Sequence, residues 1–135
     1  MIKITNLTKK FDDFIAVNNL NMHVNKGEVL GFLGPNGAGK STTMKMITGF
    51  IKPSSGKIEV NNMDVEENPI ECKRLIGYLP EGAPLYGDMT PKNMLKFISS
   101  IRKMSQKQFK LAFDDIVVQT QITEVINQPI ETLSK

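Results

Sequence analysis

Short runs of apolar and β-branched residues occupy the first third of the chain, at 2–4, 16–24 and 28–33, with polar breaks such as Asn25-Lys26-Gly27 between them. That pattern predicts strands. From Lys40 the period lengthens. Residues 40–48 predict a helix with Met44, Ile47 and Thr48 on its apolar side and Gly49 at its end. Pro53-Ser54-Ser55-Gly56 predicts a turn into a strand at 57–60, and Asn61-Asn62 a reversal. Asn68-Pro69-Ile70-Glu71 predicts a short helix, with Asn68 as cap, Pro69 in first position and Glu71 reaching back to complete a capping box. Residues 76–79 predict a short apolar strand, and 81–88, with two glycines and a proline, a loop.

Thr90-Pro91 opens a helical region in which Met94, Phe97, Ile98, Ile101 and Met104 recur at helical spacing. Ser105-Gln106-Lys107-Gln108 is a second capping box, and Phe109, Ala112, Phe113 and Ile116 continue the period. The chain therefore reads as α/β. A mixed part at 1–88 is followed by an all-helical part at 89–135.

The junction of the 28–33 run with the helix carries chemistry. Gly34, Pro35, Asn36, Gly37, Ala38, Gly39, Lys40, Ser41 and Thr42 match G-x-x-x-x-G-K-[ST] between a predicted strand and a predicted helix. Gly37 and Gly39 let the backbone bend so that successive N–H groups point inward at phosphates, and the helix adds the positive end of its dipole. Lys40 is suited to the β- and γ-phosphates, and the Ser41 hydroxyl to a magnesium ion. The expected ligand is a nucleoside triphosphate, ATP with Mg2+. Five fixed positions in the right flanking context make a chance match a remote alternative.

Composition narrows the rest. Among 135 residues, 40% are apolar and 23% charged, ordinary for one globular domain. The net charge of +3, from 17 basic and 14 acidic residues, is too small and too scattered for a nucleic-acid surface. Cys72 is the single cysteine, so no intrachain disulfide forms, and no Cys or His pair has zinc spacing. The N-terminus lacks a signal-peptide core, and no apolar run approaches the ~20 residues of a membrane span. A reducing compartment is expected, with any membrane role reached through a partner. Met44, Met94 and Met104 read as core fillers, and Cys72 as structural.

The run from Lys26-Gly27-Glu28 through Gly34–Thr42 to Ser55-Gly56-Lys57 resembles the first half of an ABC-transporter ATP-binding subunit. The resemblance extends over the whole chain. It implies a P-loop NTPase core with an N-terminal antiparallel β part and a helical subdomain, truncated before the second half of the nucleotide site. Lys10-Phe11 with Ala16-Val17 is similar to the family's aromatic loop, which implies that Phe11 stacks on adenine beside Val17. A strand-end core role for Phe11 or Phe14 is the alternative. Glu81 in Ile76-Gly77-Tyr78-Leu79-Pro80-Glu81 stands where the family carries a glutamine that meets magnesium and the attacking water. A carboxylate can still ligate the metal, but adds negative charge near the γ-phosphate. Leu133-Ser134 resembles the opening of the signature segment, whose serine in the family meets the γ-phosphate held by the opposite subunit. Tyr78, Leu85 and Tyr86 stand where the family receives a helix of its membrane subunit.

By the same resemblance, the protein is the energising ATPase of an exporter. It would work as a homodimer when full length, peripheral on the cytoplasmic face of the membrane and bound to an integral membrane subunit. A non-transport ATPase acting as a nucleotide-gated clamp is the other reading. No run of four apolar residues followed by aspartate is present; the nearest, Leu111-Ala112-Phe113-Asp114-Asp115, has three and lies inside a helical period, and His23 precedes the loop on an alternating strand. The water-activating residues are thus expected beyond Lys135. The 135 residues are expected to bind ATP without hydrolysing it, and to leave apolar sheet edges uncovered, with marginal stability or poor solubility.

Overall fold

Two long strands build the sheet of the first part of the chain. β1 (Ile2–Phe11) and β2 (Phe14–Val24) run antiparallel, joined by a tight turn in which Asp12 takes φ 49°. β3 (Ser55–Val60) pairs with the other edge of β1, and β4 (Met63–Asp64) with β3, giving the order β2-β1-β3-β4. Asn61 and Asn62, at φ 50° and 65°, make the two-residue reversal expected of them. Ile4 and Leu7 are both buried although three residues apart on a strand. The ladder slips between them at Asn6, whose φ of 49° inserts an extra residue and returns Leu7 to the core face.

This computed structural model describes residues 1–80, 82 and 86–133. The chain divides into two compact units, Met1–Leu79 and Pro80–Lys135.

In the first unit, α1 (Lys40–Ile47) and α2 (Pro69–Leu75) join the sheet around a core of Ile4, Leu7, Val17, Met46, Ile47, Ile58, Val60, Val65 and Cys72. Each large aliphatic member contributes about 1.5–3 kcal/mol relative to exposure. The buried face of α1 holds Thr43, Met46 and Ile47. Met46, not Met44, is the fully buried methionine, while Met44 packs half-buried beside it. Thr48 is buried as expected, its hydroxyl donating to the Met44 carbonyl at 2.8 Å.

Three local expectations are corrected. Residues 28–33 and 76–79 belong to no strand or helix. An apolar run becomes a strand only when a neighbour takes its N–H and C=O groups, and neither segment has a ladder partner among the described residues. Val29, Leu33 and Leu79 are accordingly 97%, 92% and 85% exposed. The capping box at Asn68 is also absent. No side chain caps α2, because the Asn68 amide turns back to the Asp64 carbonyl at 3.4 Å and its N–H donates there at 2.9 Å.

In the second unit, α3 (Pro91–Ile101) packs on α4 (Gln106–Gln119). Thr90 caps α3 by accepting the Asn93 N–H at 3.2 Å. Ser105 and Gln108 form the expected reciprocal box, at 2.9 and 3.3 Å. Phe109 stacks on Phe113 one turn later, their ring centres 5.5 Å apart. Met94 is half-buried, but Met104 is exposed rather than a core filler. A 3-10 turn at Ile130–Thr132 is tied to the bend before α3 by the N–H groups of Ile130 and Glu131, which donate to the Met89 and Gly87 carbonyls. Among the described residues, no helix is long and apolar enough to cross a membrane.

Candidate nucleotide site

The loop at 34–39 holds its shape through its own backbone. The Ala38 N–H donates to the Pro35 carbonyl at 3.2 Å, and Gly37 and Gly39 take φ 84° and 81°. Gly39 is the cap residue of α1 and offers no side chain there. The first intrahelical bond is donated by Thr43 to the Gly39 carbonyl, at 2.8 Å. The N–H groups of Lys40, Ser41 and Thr42 thus have no helical acceptor and open at the positive end of the helix. This cradle suits the oxygens of a phosphate chain.

Gly39 also fixes the cradle to the sheet. A Cβ at Gly39 would stand 2.3 Å from the Ala16 carbonyl oxygen and 3.0 Å from Val17 Cγ2. The loop's last residue therefore lies directly on β2. Val17, buried in the core, is opposite Lys9 in the β1–β2 ladder. Two residues further along β1 stands Phe11, about 7 Å on at the usual strand rise. Phe11 pairs with Phe14 at the end of the hairpin, and the two rings are 46% and 62% exposed. Neither ring is buried in the core.

The ammonium of Lys40 folds back onto the loop, donating to the carbonyls of Gly34 and Pro35, the latter at 2.6 Å. It neutralises the rim of the cradle and lies within reach of whatever anion enters. Ser41 is exposed and Thr42 half-buried in the first turn of α1. Among the described residues, no three His, Cys, Asp or Glu side chains cluster to hold a metal ion. A lone hydroxyl beside a phosphate cradle fits a magnesium ion that keeps most of its ligands from phosphates and water. Glu81, Leu85 and Ser134 lie outside the described residues.

The remaining chemistry-bearing residues are spread over both units. Asp114 and Asp115 are on the exposed face of α4, where Asp115 accepts from Gln119 at 2.9 Å. His23 is exposed on β2, bonded to the Asn25 amide oxygen. Tyr78 packs on Phe50 and Tyr86 on Phe97. Sequence reasoning missed Ala16 as a site residue. Its backbone oxygen shapes the loop, and only the glycine before Lys40 hinted that a neighbour comes close.

A family model described as ABC transporter matches residues 17–135. Over 101 residues the chain is 44% identical to the probable multidrug ABC transporter ATP-binding protein YbhF of Escherichia coli, covering 75% of this chain and 18% of that protein. It is 33% identical over 140 residues to the ABC transporter ATP-binding protein NatA of Bacillus subtilis, covering 100% of this chain and 57% of NatA. The solved structure of CbiO1 from Clostridium perfringens, part of the ABC transporter complex CbiONQ, superposes with a TM-score of 0.83 at 26% identity. That match takes in 98% of this chain and 55% of CbiO1. The chain spans between about a fifth and three fifths of the length of these relatives.

Proposed function

The chain belongs to the ABC transporter family, and from that premise we propose that it is the ATP-holding part of a subunit that energises export across a membrane. The observation that carries the proposal is the cradle: three N–H groups at the start of α1 with no helical acceptor, fixed to β2 through Gly39, with the Lys40 ammonium on its rim. The likeness to a protein named for multidrug transport supports the exporter reading.

In this reading the N–H groups of the loop bind and orient the β- and γ-phosphates. Lys40 leaves the Gly34 and Pro35 carbonyls to meet them, and Phe11 holds the adenine by stacking, with Val17 beside it. Ser41 holds the magnesium ion, which when bound offsets phosphate charge. By the family resemblance Glu81, in the glutamine position, would be a second magnesium ligand, and Ser134 would serve the γ-phosphate of an opposite copy in a homodimer. The partner is an integral membrane subunit, and the chain works at the cytoplasmic face. The 135 residues by themselves bind ATP and turn none over, a reading supported by the lack of any run of four apolar residues followed by aspartate in the sequence.

Binding and turnover of ATP, measured side by side, test this. The chain should bind ATP, Lys40→Ala should abolish binding, and phosphate release should stay at background. ATP binding untouched by Lys40→Ala would refute the site. Turnover above background that Lys40→Ala removes would place a water-activating group within residues 1–135.

A further inference from the structure

Lys9 sits two residues before Phe11 on β1, and its ammonium lies over the Phe11 ring, 5.0 Å from the ring centre. The same ammonium donates to the Lys52 carbonyl at 2.8 Å. That acceptor belongs to a segment pinned to β1 at its far end. The Ser54 N–H donates to the Thr8 carbonyl at 2.9 Å, and the Ser54 hydroxyl accepts the Lys10 N–H at 3.0 Å. The lysine is therefore anchored at its stem by β1, at its tip by the 52–54 segment, and against one face of an otherwise exposed ring. Opposite Lys9 in the ladder is Val17, whose methyl group meets the loop at Gly39.

We propose that Lys9 is a positioning residue for the nucleotide base, covering one face of Phe11 and leaving the opposite face for the base. The inference rests on the reading of Phe11 as the base platform. Two effects follow from the geometry. A ring held on one face by an anchored cation has less rotamer freedom to lose on binding. A cation over one face also draws the ring's π density towards itself, which lowers the repulsion felt by an electron-rich purine on the other face.

The test compares ATP with inorganic tripolyphosphate, which carries the phosphate chain but no base, by calorimetry on the chain and its variants. Lys9→Met should weaken ATP roughly two- to fivefold, the scale of one exposed cation–ring contact. Tripolyphosphate binding should not change, and Lys9→Arg should restore ATP binding because guanidinium keeps both the charge and the donor. Phe11→Ala separates the two levels. If it leaves ATP binding unchanged, the platform reading itself falls. If it weakens ATP while Lys9→Met leaves it equal or tighter, the platform stands and the lysine's role falls. A parallel loss of tripolyphosphate binding in Lys9→Met would mean that the lysine supports the loop rather than the ring, and would also overturn the proposal.

Discussion

Replacing Gly39 by alanine tests whether the cradle is held by the sheet or merely lies near it. Two penalties can be separated. At φ 81° any side chain is in the left-handed region, at about 1–2 kcal/mol. The new Cβ would also stand 2.3 Å from the Ala16 oxygen, which belongs to a laddered strand and cannot rotate away as a side-chain tip would. Relieving that clash by moving the loop or β2 adds about 1–3 kcal/mol, as overpacking a close-packed site does. Gly39→Ala should therefore lose about 2–5 kcal/mol. Gly37→Ala is the internal control: its φ is 84°, but nothing lies within 4 Å of the added Cβ, so only the first penalty applies. Urea unfolding of the two variants without nucleotide gives the difference directly, because a stability change at constant m reads as a midpoint shift. Equal losses, or a loss under about 1 kcal/mol for Gly39→Ala, would refute the claim that the loop's end packs on β2.

Ser105→Ala removes one half of a reciprocal cap and should lower stability by about 1 kcal/mol, with hydrogen exchange rising first in the opening turn of α4. Unchanged exchange there would show the box to be idle. Burial, more than the nearby Asp64 and Glu71 charges, raises the pKa of the Cys72 thiol above its ordinary 9.0. Below the unfolded value both states hold the proton, and this group does not tilt the balance. Above it the unfolded chain loses the proton first, so Cys72 leaves stability unchanged below pH ~9 and lowers it as the pH rises from there towards the folded value. Stability should fall more steeply above pH 9 in the parent chain than in Cys72→Ala, and identical slopes would contradict the assignment.

What could be read from the sequence is what neighbouring residues decide among themselves. The Asn61-Asn62 reversal, the Ser105–Gln108 box and the backbone of the phosphate loop each depend on residues within a few positions, and each is where the pattern put it. Asn68 shows how narrow that reach is. It carries the same box signature as Ser105, yet a carbonyl four residues back, at Asp64, takes its amide instead. The runs at 28–33 and 76–79 failed for a longer-range reason. Their composition suits a buried strand, but the groups that would pair with them are not among the described neighbours, and composition cannot supply a partner. The slip at Asn6 lies between these cases: asparagine tolerates positive φ, but only the pairing of β1 with its two neighbours shows that it is used.

The most consequential unread feature is how many of the loop's own groups hold its shape. Its backbone turn closes through Ala38 and Pro35, its end is fixed on β2 at Gly39, and its lysine is satisfied by the Gly34 and Pro35 carbonyls. In the proposed function the Lys40 ammonium would exchange two neutral acceptors for charged phosphate oxygens, a stronger partner for the same donor. That exchange would make Lys40 both a support of the loop and the group that favours a polyphosphate over a neutral ligand. It also explains why a motif recognised by spacing alone is informative here: its glycines, proline-borne carbonyl and lysine act on one another within seven residues, whereas Phe11, Val17 and Ala16 reach the site only through the pairing of β1 with β2.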